Sequence, residues 1–135
     1  TAVLEPDEGV VTDVIDTRGV RVRLGTQERE ICYIGVAGIR PEHPYYARAV
    51  AAHRALVVGQ KVKVVYDVVR ENPAGQTVAY VYLGDASHAG NLVNGKVLEA
   101  GWGALGEFWG NDRLRMYLMN TAEPAKWRKV GMWAE

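Results

Sequence analysis

A five-stranded Greek-key β-barrel plugged by helices is the fold class this sequence predicts, and three observations predict it. Five short β-branched or alternating runs fall into a group of three followed by a pair. A stretch of helical character separates the two groups, and more helical character follows the fifth run.

"GVVTDVI" (Gly9 to Ile15) and "VRVRL" (Val20 to Leu24) flank the turn "DTRG". The second run alternates strictly, with Val20, Val22 and Leu24 on one face and Arg21 and Arg23 on the other, as a half-buried strand does. After the polar turn "GTQE", "REICYIGV" (Arg29 to Val36) supplies a third strand and completes a meander. From His43 to Gly59 the period changes: Pro44 suits a first turn, Ala and Leu favour helix, and Gly59 suits the residue just past the end. "KVKVVYDVV" (Lys61 to Val69) and "QTVAYVYL" (Gln76 to Leu83) alternate again around the turn "RENPAG". Leu92, Val93, Val97 and Leu98 then recur at helical spacing with Gly101 as a stop, and a last helix runs from Asn111 to Trp133 with a kink or break near Pro124. The order is βββαββαα with about three helices, which fits a barrel of the OB type whose first helix plugs one end. An SH3-like barrel lacks that long helix and ranks second.

At 135 residues and 48% hydrophobic, residues 1–135 fit one compact domain. Sixteen Lys and Arg against sixteen Asp and Glu set up no overall field, although a neutral total can hide local patches. Cys32 is the only cysteine, so neither an intrachain disulfide nor a cysteine-based zinc site is available. That suits a reducing compartment, and we expect an intracellular, cytoplasmic protein. The longest apolar run, Ala47 to Val58, is interrupted by Arg48, His53 and Arg54 and falls short of a membrane span, so a soluble chain is expected. It opens on Thr1 with no signal core behind it, which suggests a domain taken from a longer protein.

The strings "VIDTRG", "CYIGVAGIR", "GQTVAYVY" and "KVGMW" stand in an order and at gaps that resemble staphylococcal nuclease-like domains. Members characteristically show V-x-D-G-D-T, R-L-x-G-I-D-A-P-E, G-R-x-x-A-Y-V-Y and a helix ending in W. "GVAGIR", "AYVYLGD" and "GMWAE" further resemble the nuclease-like repeats of Tudor-SN proteins. The resemblance covers nearly the whole chain and implies the OB-type barrel again. In active members it implies calcium-dependent phosphodiester cleavage, in which carboxylates hold the ion, another activates water and two arginines neutralise the phosphoryl charge.

Carried over position by position, the resemblance leaves little of that set. The second acid of D-G-D falls on Arg18, and the first arginine falls on Cys32, which cannot grip a phosphate bidentately. The Asp and Glu of the middle motif fall on Ala37 and Arg40, and the later arginine on Gln76. Two carboxylates replaced by Arg invert the local field, so calcium would be repelled. A two-residue insertion would instead align "RPE" with A-P-E and return Glu42 as the water-activating acid, at the cost of placing Ile39 at the metal position.

Arg18, Arg21, Arg23, Arg40 and Trp109 are the candidates for ligand binding. The arginines could form a basic patch, although Arg21 and Arg23 also fit the solvated face of an ordinary strand. Trp109 falls where the family has a pocket tyrosine, with Glu107 at the other; it could stack on a base or serve only as packing. Tyr45, Tyr46, Trp102 and Phe108 could line a groove or pack at helix ends. His43, His53 and His88 show no ligand spacing, and "KWRK" (Lys126 to Lys129) could touch phosphates or simply complement a helix C-terminus. The expectation is a catalytically inactive nuclease-like domain that binds a protein or single-stranded RNA within a longer RNA-associated or scaffolding chain, without metal or cofactor. The alternative is a surviving calcium-dependent nuclease.

Overall fold

The structure is a computed structural model and describes residues 6–134. Five strands close into a barrel in the order β1-β2-β3-β6-β5. These are β1 (Asp7–Ile15), β2 (Gly19–Leu24), β3 (Gln27–Tyr33), β5 (Lys61–Val65) and β6 (Thr77–Leu83). All neighbours pair antiparallel except β3 and β6, which run parallel, and the β1–β5 ladder completes the closure. Alternation decides which side faces in: Val20 and Val22 are fully buried, whereas Arg23 is exposed and Arg21 half-exposed. Burial of each such valine is worth about 1.5–3 kcal/mol, and Val11, Ile31, Tyr33, Val64 and Tyr80 extend the same core.

The expected third strand, Arg29 to Val36, proves to be two. Gly35 takes φ +83°, a conformation that ends β3 at Tyr33, and a Cβ placed there would lie 2.9 Å from the Phe108 ring. Beyond the turn, β4 (Val36–Gly38) leaves the barrel and pairs with β7 (Gly103–Leu105), Ala37 opposite Ala104. The observed order is therefore ββββαββαβα rather than βββαββαα, with the barrel itself as expected. The fifth element also stops early, at Val65 instead of Val69.

Helix α1 (Tyr46–Val57) turns Ala49, His53 and Val57 inward. It starts two residues beyond Pro44, after His43 accepts the Tyr45 N–H at Nδ1 (2.9 Å). The other ring nitrogen lies 3.2 Å from the Met132 carbonyl, which can only accept. Nε2 therefore carries the proton, and His43 joins the entry of α1 to the last residues of the chain. Helix α2 (Val93–Glu99) carries the fully buried Asn94. Its amide accepts the Val81 N–H (3.0 Å) and donates to the Ile34 and Ala79 carbonyls (3.0 and 3.2 Å), joining the helix to β6 and the β3 exit. Helix α3 (Arg115–Arg128) is shorter than the expected 111–133 but continues through Pro124 and ends at Lys129, φ +55°. No helix among the described residues is long and apolar enough to cross a membrane.

Candidate ligand-binding cleft

The turn between β1 and β2, Asp16 to Arg18, packs against the β3 exit and β4. Asp16 adopts φ +50°, which Asp tolerates better than most residues, and two side chains of α1 hold it there. Its carbonyl lies 2.7 Å from His53 Nδ1, and its carboxylate accepts from the Tyr46 hydroxyl. A carbonyl only accepts, so His53 donates through Nδ1 and its Nε2 accepts from the Tyr33 hydroxyl at 2.7 Å. The fully buried Thr17 accepts the Ile39 N–H through Oγ1 (3.0 Å), tying the turn to β4, and the Tyr33 N–H donates to the Arg18 carbonyl (2.8 Å).

Burial sets the electrostatics beneath this turn. It pushes the His53 pKa below the usual histidine value, partly opposed by the Asp16 carbonyl, which favours the protonated ring. The Tyr33 hydroxyl is raised well above its ordinary value by burial alone. The Tyr46 hydroxyl is raised chiefly because it donates to Asp16, so it stays a donor.

The exposed side of the turn is cationic. The Arg18 side chain is 47% exposed, with Nε 4.0 Å from the Asp16 carboxylate, and a Cβ added at Gly38 would meet the Arg18 Cβ at 3.0 Å. The arginine stem thus packs against the strand that carries Ala37. Ala37 and Arg40 are exposed, whereas Ile39 between them is only 3% exposed and faces inward. Cys32 is buried opposite Gly19 of β2 and beside Val78 of β6. Burial pushes its thiol pKa up, with the Arg18 charge acting in the opposite direction.

The sequence candidates therefore separate. Arg18, Cys32 and Ala37 lie around the turn and β4, and Arg40 is exposed two residues beyond that strand. Gln76 stands at the entry to β6 but is spoken for: its N–H donates to Asn72 Oδ1 and its Oε1 accepts from Asn72 Nδ2, both at 3.0 Å. Arg21 lies on the outer barrel face, 2.8 Å from Glu30 and 3.6 Å from Glu28, and Arg23 sits opposite Glu28 in register. That is the arrangement of a solvated charge ladder.

Trp109, half-buried at φ +51°, belongs to a loop bordering a cleft of about 420 Å³ lined by Leu105, Glu107, Phe108, Arg115 and Met119. A left-handed Trp is costly backbone geometry, and Gly110 at φ +85° follows it. The Glu107 carbonyl accepts the Gly35 N–H (2.9 Å), which places this loop beside β4. Of the four aromatics considered for a groove, Tyr45 lines a cleft with His43, Pro44 and Arg48, Tyr46 holds Asp16, Trp102 lies 6.4 Å from the His53 ring, and Phe108 is buried. The sequence reading missed Asp16, Thr17, Tyr33 and His53 as a unit. The signal was Ala49, His53 and Val57 at i, i+4 and i+8, which puts the histidine on the buried stripe of α1.

Among the described residues no group of three or more His, Cys, Asp or Glu is placed to hold a metal ion. Asp16, the acid of the turn, is engaged by Tyr46 and faced by Arg18. The residues do not fit a calcium ion.

A closed five-stranded barrel of the OB type with a helix between β4 and β5 and two more after β6 defines the class of protein. The family model described as staphylococcal nuclease homologue matches residues 21–135, and the chain belongs to that family. No curated protein matches it.

Proposed function

We propose that this chain is a catalytically inactive nuclease-like domain that serves as an interaction module, binding a protein partner or single-stranded RNA within a larger RNA-associated or scaffolding protein. Arg18, whose stem packs against β4, and Arg40, two residues beyond that strand, carry the reading, both exposed as Ala37 is. The resemblance puts carboxylates at all three of these positions, and two cations there oppose a divalent ion while attracting phosphate or carboxylate. Ile39 points inward with its N–H held by Thr17, which favours the alignment without an insertion over the one that returns Glu42. Kinship with the repeats of Tudor-SN proteins, whose nuclease-like sites lack acids at the same places, is part of the proposal, as are further domains in the same chain. The buried, unpaired Cys32 suits a cytoplasmic setting.

Calorimetry with calcium chloride, followed by single-stranded RNA at low and high salt, tests this. The expected result is no calcium heat and no calcium-dependent cleavage. RNA binding that falls steeply with salt would select the RNA arm, and no RNA binding the protein arm. Calcium-dependent cleavage abolished by Glu42→Gln would overturn the proposal in favour of a surviving phosphodiesterase.

A further inference from the structure

The fold asks three things of Asp16. Its backbone takes φ +50°, its carbonyl accepts from His53 Nδ1 at 2.7 Å, and its side chain accepts from the Tyr46 hydroxyl through Oδ1. An asparagine would meet all three, since it enters the left-handed region as readily as Asp and its amide oxygen is an acceptor too. The negative charge is therefore surplus to the geometry of the turn. It stands beside the Arg18 guanidinium, with Oδ2 4.0 Å from Nε.

That contact is too long for a hydrogen bond, so Asp16 acts on Arg18 through its charge and leaves the fork of the guanidinium unoccupied. Neither Nη group of Arg18 has a hydrogen-bond partner among the described residues, and the side chain is 47% exposed. The Arg18 charge is felt nearby, where it opposes the upward pKa shifts of Tyr46 and Cys32. From a distance the Asp16–Arg18 pair sums to zero, so its attraction for a polyanion falls off much faster than that of a lone cation. Close up, the two free Nη groups still match the two oxygens of one carboxylate.

We propose that Asp16 is a charge filter on Arg18: it withholds the arginine from the phosphate chain of single-stranded RNA and leaves it to a single carboxylate side chain of a protein partner, gripped end-on through Nη1 and Nη2. The inference rests on the anion-binding reading of Arg18 given above and decides between its two ligands. A phosphate chain draws its affinity from the summed field of several cations, and here a carboxylate cancels one of them at the point of contact. A carboxylate held by two hydrogen bonds depends instead on geometry over a few ångströms. The Tyr46 hydroxyl anchors Asp16 Oδ1, which keeps the acid from swinging across the fork.

The test is binding of labelled oligouridine RNA at low salt, read by fluorescence anisotropy, to the unaltered chain and to Asp16→Asn. The variant should bind about two- to fivefold tighter, the range expected of one exposed ion pair, and the gain should vanish at high salt. Adding Arg18→Gln should return the affinity to that of the unaltered chain or below. Tyr46→Phe removes the same hydrogen bond and keeps the charge, so it should give no gain; a gain equal to that of Asp16→Asn would make loosening of the turn the cause and overturn the filter. Equal or weaker RNA binding by Asp16→Asn, checked as folded by thermal unfolding, would also overturn it, as would a gain that survives Arg18→Gln. Sodium acetate titrated into the unaltered chain should shift the Arg18 side-chain NMR signals, and no shift would overturn the carboxylate assignment. Calcium-dependent cleavage would strike the underlying reading instead, whichever way these affinities fall.

Discussion

Beneath the Asp16–Arg18 turn the polar groups are matched, hydroxyl to imidazole and imidazole to carbonyl, and no buried side-chain polar atom among the described residues lacks a partner. The outer face of α3 is the reverse, with Trp127 and Met116 in water. Both regions are irregular for their elements, one by a left-handed aspartate and the other by a proline inside a helix. What separates them is where the cost falls. An internal network holds the turn at the expense of tolerance to change, whereas α3 leaves its groups free at little cost because water reaches them.

The contrast breaks first at His53. His53→Ala removes a buried ring and leaves the Asp16 carbonyl and Tyr33 hydroxyl unpaired, so urea denaturation should show a loss of about 3–5 kcal/mol. A loss below about 1 kcal/mol would mean that the turn is not held as described. Thr17→Val keeps the shape but strands the Ile39 N–H; a loss of about 1–2 kcal/mol in the same assay is expected.

Acid provides a graded version of the first effect. The folded-state pKa of His53 lies below its unfolded value near 6.5 because burial disfavours the cation. The unfolded chain then binds the extra proton first, so the histidine's contribution is intact above that value and is lost as pH falls from it toward the lower folded pKa. Stability measured from pH 7 down to pH 5 should decline, and His53→Gln should flatten that part of the profile. The smallest effect belongs to the other region: Trp127→Ala should change stability by less than about 0.5 kcal/mol in urea denaturation. A larger loss would mean that Trp127 packs inside the domain and is not a free surface.

Legibility in the sequence followed the range of the interactions. Strands β1, β2 and β6 were readable because alternation is local, as were the outward positions of Arg21 and Arg23. The split of β3 from β4 was not, since Gly35 turns where Phe108, far along the chain, closes over it. β7 is a Gly-Ala-Leu stretch without pattern and is a strand only because β4 offers it an edge. The grouping of Arg18, Cys32 and Ala37 could be expected from motif order. The network beneath them could not, because residues 16, 17, 33, 39, 46 and 53 share no periodicity that spans different elements. The outward face of Arg21 was legible, but only the β2–β3 register gave it its two carboxylates.

By itself the sequence determined the barrel class, the inward face of β2 and the identity of the side chains around the turn, all consequences of hydrophobic period and of residue type. The tertiary structure decided which of those side chains are engaged and which are free. It gave Asp16 to Tyr46, Gln76 to Asn72 and Arg21 to the glutamates, and it left Arg18, Arg40 and Trp127 facing solvent. The physical reason is that a hydrogen bond or ion pair acts over a few ångströms in space, and separation along the chain says little about that distance once the chain has closed on itself.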